Sequence, residues 1–174
     1  MKFANENTWN AAIASAAVAA GLPVWVVKTA IGKESSFNPR AVGPEDPIIS
    51  RGLMQLTEDT ARWLGYSGPL GDDSTHTGGL YDPETSIQIG AHYLGYLARR
   101  YPAEGWDAIY AGYNSGAPRR DAAGFVNAKG KSIEGKIQAW RDLADYFNPN
   151  WRKEPRGPFV KPPAPAASRR SKRG

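Results

Sequence analysis

At 174 residues, with 41% hydrophobic content, the chain is long enough for one domain with a proper core and too short for two comfortable ones. It contains no Cys, which excludes a disulfide framework, a thiolate nucleophile and a Cys-ligated zinc site. The net charge of +5 sits at one end: residues 152–174 hold eight Lys/Arg against the single acid Glu154, a net +7 that leaves the rest at −2, so this is a slightly acidic body with a basic appendage and not a uniformly basic nucleic-acid binder.

Helical signals recur along the chain. Asn7 or Thr8 is placed to cap a first helix carrying Trp9, Ile13 and Ala-rich packing positions, with Gly21 as its stop. The uncharged run from Asn7 to Val27 also has the outline of a secretion signal, with Ala14-Ser15-Ala16 as its cleavage site. Its n-region offers only Lys2, offset by Glu6, and Ala is weakly apolar, so a domain helix is the better reading. Pro23 fits the first turn of the next helix, where Val24, Val27 and Ile31 mark one buried face before Ser35-Ser36-Phe37-Asn38-Pro39 ends it. Residues 39–56 read as an irregular segment and a candidate site wall.

Further on, Thr57 caps a short helix with Glu58 and Asp59 in its first turn and Gly65 at its end. A Gly/Asp/Ser/Thr-rich loop from about Ser67 to Gly79 precedes Asp82-Pro83, a cap-plus-first-turn pair. Ile87, Gly90, Ala91, Leu94, Leu97, Ala98 and Tyr101 then trace the face of a long central helix. Trp106, Ile109, Tyr110 and Tyr113 mark another, stopped by Gly116 and Pro118, and Ile133, Ile137, Trp140, Ala144 and Phe147 mark the last. No stretch alternates well enough to predict a strand. The two imidazoles, His76 in the polar loop and His92 in the long helix, lack metal-ligand spacing; structural roles are expected for both, with no metal and no cofactor.

Glu34 falls on the buried face of the second helix, at its end. Partial burial and the negative end of the helix dipole both disfavour the ionised form, so its pKa is expected to rise and the group to be able to donate a proton. The plain alternative for such a residue is a solvated helix end.

Three segments weigh against that alternative: Glu34-Ser35-Ser36-Phe37-Asn38-Pro39, Gly52-Leu53-Met54-Gln55-Leu56 and Tyr113-Asn114-Ser115-Gly116. With Tyr81-Asp82-Pro83-Glu84, Ile87, Ile89-Gly90 and Tyr93-Leu94, they make the chain resemble the soluble lytic transglycosylase family, goose-type lysozyme-like enzymes that cut bacterial peptidoglycan. The resemblance covers roughly residues 8–145. It implies a mainly α, lysozyme-like helical domain with irregular groove-lining loops, placed here over residues 1–151, while the composition of 152–174, Pro-rich and basic with almost no large apolar residues, predicts a disordered tail.

The resemblance also implies a site. Glu34 is the single catalytic acid/base, protonating the glycosidic oxygen between MurNAc and GlcNAc and then deprotonating the MurNAc C6 hydroxyl to give a 1,6-anhydro product. Tyr113 supplies its hydroxyl to that carboxylate, Gln55 lines the groove, Met54 offers an apolar contact to a sugar face, and Asn114 orients backbone or sugar. Ser35 either binds an N-acetyl group or caps the helix end. Gly52 is expected to be a backbone permission residue. Two departures concern the subsites: Ile48-Ile49-Ser50-Arg51 stands where the family commonly has Gly-Ala two residues before its Gly-Leu-Met-Gln segment, and Ser86 stands where it has Asn. Glu45 and Asp46, either solvated loop acids or positioners of a water, leave hydrolysis of the same bond open.

The expected partners are peptidoglycan glycan strands, with the basic tail directed to anionic cell-surface polymers or membrane, nucleic-acid binding incidental, and the protein a monomer acting at the bacterial cell wall. Small size, the weak export signal and the basic tail suggest a bacteriophage lysis or virion-borne enzyme. The other class to weigh is a non-catalytic wall-binding or virion structural protein of the same fold.

Overall fold

The computed structural model describes residues 2–43 and 48–154. Glu45, Asp46 and the tail beyond Glu154 lie outside the described residues. Among the described residues six α-helices carry the fold: α1 (Asn10–Ala20), α2 (Val24–Ser35), α3 (Glu58–Trp63), α4 (Pro83–Arg100), α5 (Trp106–Ser115) and α6 (Glu134–Phe147). A 3-10 turn, Gly79–Tyr81, leads into α4.

The central helix α4 packs against α1, α2 and α5, and α6 closes the other side against α2 and α5. Small residues set the closest approach. A Cβ on Gly95 would stand 2.6 Å from the Ala20 carbonyl oxygen, so the alanine-rich α1 lies directly on α4, and Arg99 donates to that same carbonyl at 3.2 Å. The Ala-rich run is thus a packed domain helix, with Ile13, Ala16, Ala17 and Ala20 buried. At the far end Trp25 meets the rings of Trp106, Trp140 and Trp151, so Trp151 belongs to the packed body, and its indole N–H donates to Asp145 at 2.8 Å.

The caps largely follow the sequence. Asp82 Oδ1 accepts the Thr85 N–H at 2.8 Å with Pro83 in the first turn, Thr57 Oγ1 accepts the Thr60 N–H at 3.3 Å, and Gly21 ends α1 at φ 71°. Three expectations are corrected. Neither Asn7 nor Thr8 caps α1, whose N-cap is Trp9 without a side-chain hydrogen bond. Val24 is exposed, because the buried stripe of α2 runs through Val26, Val27, Ala30 and Ile31, one position round from the one read by spacing. Strands exist, but they are short: β1 (Ser50–Arg51) pairs antiparallel with β2 (Leu56–Thr57), and β3 (Arg119–Asp121) with β4 (Gly124–Val126). Two or three residues are too few to display an alternating pattern.

Candidate active site

Glu34 is the penultimate residue of α2, and the backbone just beyond the helix fixes where it points. Ser36 and Phe37 both take left-handed backbone angles, φ 53° and 61°, which non-glycine residues avoid. Burial of the Phe37 ring against Phe3 and Phe147 holds that sharp exit in place. The helix therefore stops one residue after Glu34, which is left half-buried on a groove of about 470 Å³.

Lys33, Ser50, Gln55, Thr57, Thr60, Tyr93, Tyr113, Asn114 and Lys136 line that groove with Glu34. Among the described residues lining it, Glu34 is the only carboxylate. Burial raises its pKa above the ordinary 4.5, opposed by a hydrogen bond from Tyr110 and by the charges of Lys33 and Lys136. Burial also pushes Tyr110 and Tyr113 well above 10, with the Glu34 charge adding to it, so both phenols keep their protons.

The hydroxyl on the Glu34 carboxyl belongs to Tyr110, not to Tyr113 as the resemblance implied. Tyr113 donates instead to the Met54 carbonyl at 2.7 Å. The two tyrosines are one helical turn apart on α5, their rings stacked at 6.2 Å and 14°, so either lies on the right face and only depth separates them. Tyr110 is almost fully buried, and the sequence pattern marked it as a core aromatic.

Met54 is corrected as well, and of the two readings of Ser35 the structure matches the helix-end one. The Met54 side chain is fully buried beneath Gly90 of α4, where an added Cβ would meet its atoms at 2.6 Å, so it fills the core and offers no face to the groove. Ser35 is buried and its Oγ donates to the Ile31 carbonyl at 3.2 Å, a bond within its own helix.

Gln55 lines the groove at φ 47°, and its amide is fully engaged in the wall: Nε2 donates to the Ala41 and Gly52 carbonyls, each at 3.0 Å, while Oε1 accepts from Ser50 Oγ at 3.0 Å. Gly52 has φ 73°, and a Cβ there would lie 2.1 Å from the Leu80 carbonyl oxygen, which makes it the permission residue expected. Ser86 Oγ accepts the Met54 N–H at 3.1 Å and ties this turn to α4. Arg51 is buried in a bidentate pair with Asp73, 2.6 Å at both nitrogens, and Tyr81 donates to the same carboxylate at 2.8 Å. The polar loop is thereby fastened to the groove wall. His76 stacks on Tyr81, while His92 is exposed on α4, away from the groove.

Asn114 lines the groove, and its side chain makes no hydrogen bond to protein among the described residues. Lys33 and Lys136 were missed by sequence reasoning. Lys33 adjoins Glu34 and was readable as its neighbour, whereas Lys136, 102 positions on, is brought in only by the packing of α6 on α2.

A helical domain with a half-buried carboxyl, the only one lining the groove among the described residues, is what the structure presents, and comparison with known proteins gives its family. Residues 10–134 match the family described as Transglycosylase SLT domain. The soluble lytic murein transglycosylase of Escherichia coli (strain K12) is 34% identical over 116 residues, covering 55% of this chain and 16% of its own length. Membrane-bound lytic murein transglycosylase F 1 of Alkalilimnicola ehrlichii is 37% identical over 131 residues, covering 71% of this chain and 23% of its own. The solved structure of an inactive mutant of lytic transglycosylase Slt from Pseudomonas aeruginosa superposes with a TM-score of 0.60 at 21% identity, over 91% of this chain and 26% of that one. The fold is therefore the mainly α, lysozyme-like domain of that neighbour, and the chain belongs to the Transglycosylase SLT domain family. It spans a quarter or less of the length of the curated relatives named.

Proposed function

We propose that the chain is a peptidoglycan lytic transglycosylase, with Glu34 as its one acid/base. The observation that carries this reading is that Glu34, its pKa raised by burial, is the only carboxylate among the described residues lining the groove. Paired-carboxylate glycosidases place a second acid across the bond, and no such partner lines this groove among the described residues.

The chemistry follows from one group acting twice. Protonated Glu34 gives its proton to the oxygen between MurNAc and GlcNAc; the C1–O bond breaks and positive charge develops at the MurNAc C1. The substrate's 2-acetamido group helps hold that charge. Glu34, now ionised and held by Tyr110, takes the proton from the MurNAc C6 hydroxyl, and that oxygen bonds to C1. Glu34 ends protonated, no water is consumed, and the product ends in a 1,6-anhydro ring. Tyr113 positions the wall through Met54, Gln55 shapes it, and Asn114 is the free amide offered to the sugar. Glycan strands of the bacterial cell wall are the substrate of this reading, and the names of the relatives, all murein transglycosylases, support it.

Digestion of purified sacculi, with the released muropeptides weighed, tests the proposal. Anhydro ends, lighter than reducing ends by one water, are expected, and Glu34→Gln is expected to abolish their release. Reducing ends would instead assign a hydrolase of the same bond. Undiminished release by Glu34→Gln would remove Glu34 from the chemistry, and no release by the parent protein would leave a wall-binding protein of this fold.

A further inference from the structure

A second concavity, of about 380 Å³, adjoins the Glu34 groove and shares Thr60, Tyr93 and Gly116 with it. Its distinctive lining is Asp59 and Trp63 from α3 and Tyr96 from α4. Trp63 is 59% exposed, a large apolar ring left on the surface. It is nevertheless braced, standing edge-on to Tyr96 at 4.9 Å and 82° and to Tyr93 at 6.0 Å and 78°. Tyr93 and Tyr96 lie nearly parallel, and Tyr93 in turn meets Tyr113, whose ring stacks on Tyr110. A row of aromatic rings thus runs from the exposed ledge to the residue that hydrogen-bonds Glu34.

The polar groups on this ledge are unspent. Neither the Asp59 carboxylate nor the hydroxyls of Tyr93 and Tyr96 has a hydrogen-bond or ion-pair partner among the described residues. An indole face flanked by a free carboxylate and two free phenols suits a ligand with one apolar face and an edge of hydroxyl and amide groups, which describes a pyranose ring. The Asp59 charge disfavours an anionic segment such as an acidic stem peptide. Continuity with the groove indicates that the ring belongs to the strand already threaded past Glu34.

We propose that Trp63, with Asp59, Tyr93 and Tyr96, forms a distal saccharide-binding ledge that holds an uncharged hexosamine ring of the glycan strand, away from the bond being cut. The ledge rests on the glycan reading given above. It rewards long strands over short ones, because only a strand that extends beyond the groove reaches Trp63.

Peptide-free glycan strands, short and long, titrated calorimetrically into Glu34→Gln and into Glu34→Gln/Trp63→Ala test the ledge without turnover. With the stacked ring lost, the Kd for long strands is expected to rise roughly tenfold, about 1.4 kcal/mol. The advantage of long over short strands should shrink with it, and Glu34→Gln/Trp63→Phe, which keeps a ring, should recover most of the affinity. An unchanged Kd for long strands in Trp63→Ala, or an equal loss in Trp63→Phe, overturns the ledge. Sacculus turnover by the Glu34 protein and by Glu34→Gln, run in parallel, separates the two ideas. Turnover surviving in Glu34→Gln defeats the catalytic assignment whatever Trp63 does, whereas turnover lost in Glu34→Gln with strand binding indifferent to Trp63 defeats the ledge alone.

Discussion

Two lysines and a tyrosine pull the Glu34 proton in one direction while burial pulls it in the other, and burial is the largest of the four effects. Under the proposed mechanism the protonated form starts the reaction, so the alkaline limb of the pH–rate profile reports this balance. Lys136→Ala removes a charge that lowers the pKa, and the alkaline limb is expected to move to higher pH. Tyr110→Phe removes the hydrogen bond that lowers it most and should move the limb the same way. It should also reduce kcat by about tenfold or more, since a bond to a charged group is worth about 1.5–3 kcal/mol and this one holds the carboxylate between its two proton transfers. A limb shifted to lower pH in either variant would contradict the assignment. The same carboxyl burdens the fold. Because its native pKa is raised, native and unfolded states are equally protonated well below 4.5, and as pH climbs past that value the unfolded chain ionises first, so stability falls until the native group ionises too. Glu34→Gln is therefore expected to raise the Tm at neutral pH, with the gain disappearing in acid, and calorimetric melts across pH provide the check.

The turn between β1 and β2 is the element that gives the groove its wall, and it depends on contacts to α4 and to the 3-10 turn. Gly52→Ala sets a Cβ 2.1 Å from the Leu80 carbonyl at φ 73°, so it combines left-handed strain with a backbone clash. A loss of about 2–4 kcal/mol in urea melts, with a matching loss of turnover, is expected. Ser86→Ala leaves the buried Met54 N–H unpaired and should destabilise by about 1–3 kcal/mol. These dependencies mark the boundary of what local sequence shows. Helix ends were legible because Thr57, Asp82 and Gly21 do their work within four residues. Glu34 and Gly52 were legible because a helix terminus and a positive-φ turn leave local marks. Met54 was misplaced because period and motif give direction, whereas depth depends on what packs from elsewhere, here Gly90. Tyr110 was hidden for the same reason: a buried tyrosine on an apolar stripe reads as core until the carboxyl it serves, 76 positions away, is placed beside it.

At the scale of the whole molecule, the described body and the basic tail are expected to divide the work, and the structure fixes where a cut between them must fall. Trp151 packs into the tryptophan cluster around Trp25, Asp145 accepts from its indole and pairs with Arg152, and Asn148 donates to Glu154 at 2.9 Å. Removing residues from Trp151 onward would therefore damage the body. Ending the chain after Glu154 instead deletes six Lys/Arg and no acid, leaving a nearly neutral protein. We expect that truncation to retain the Tm of the parent protein and its turnover of soluble glycan fragments, since none of the described groove residues is lost. Attachment to whole cells or intact sacculi should weaken, and the salt dependence that a polycationic segment confers on binding to anionic polymers should flatten. Sedimentation of the two proteins with sacculi over a series of salt concentrations makes the comparison. Equal losses on soluble fragments and on sacculi would instead make the tail part of the catalytic unit.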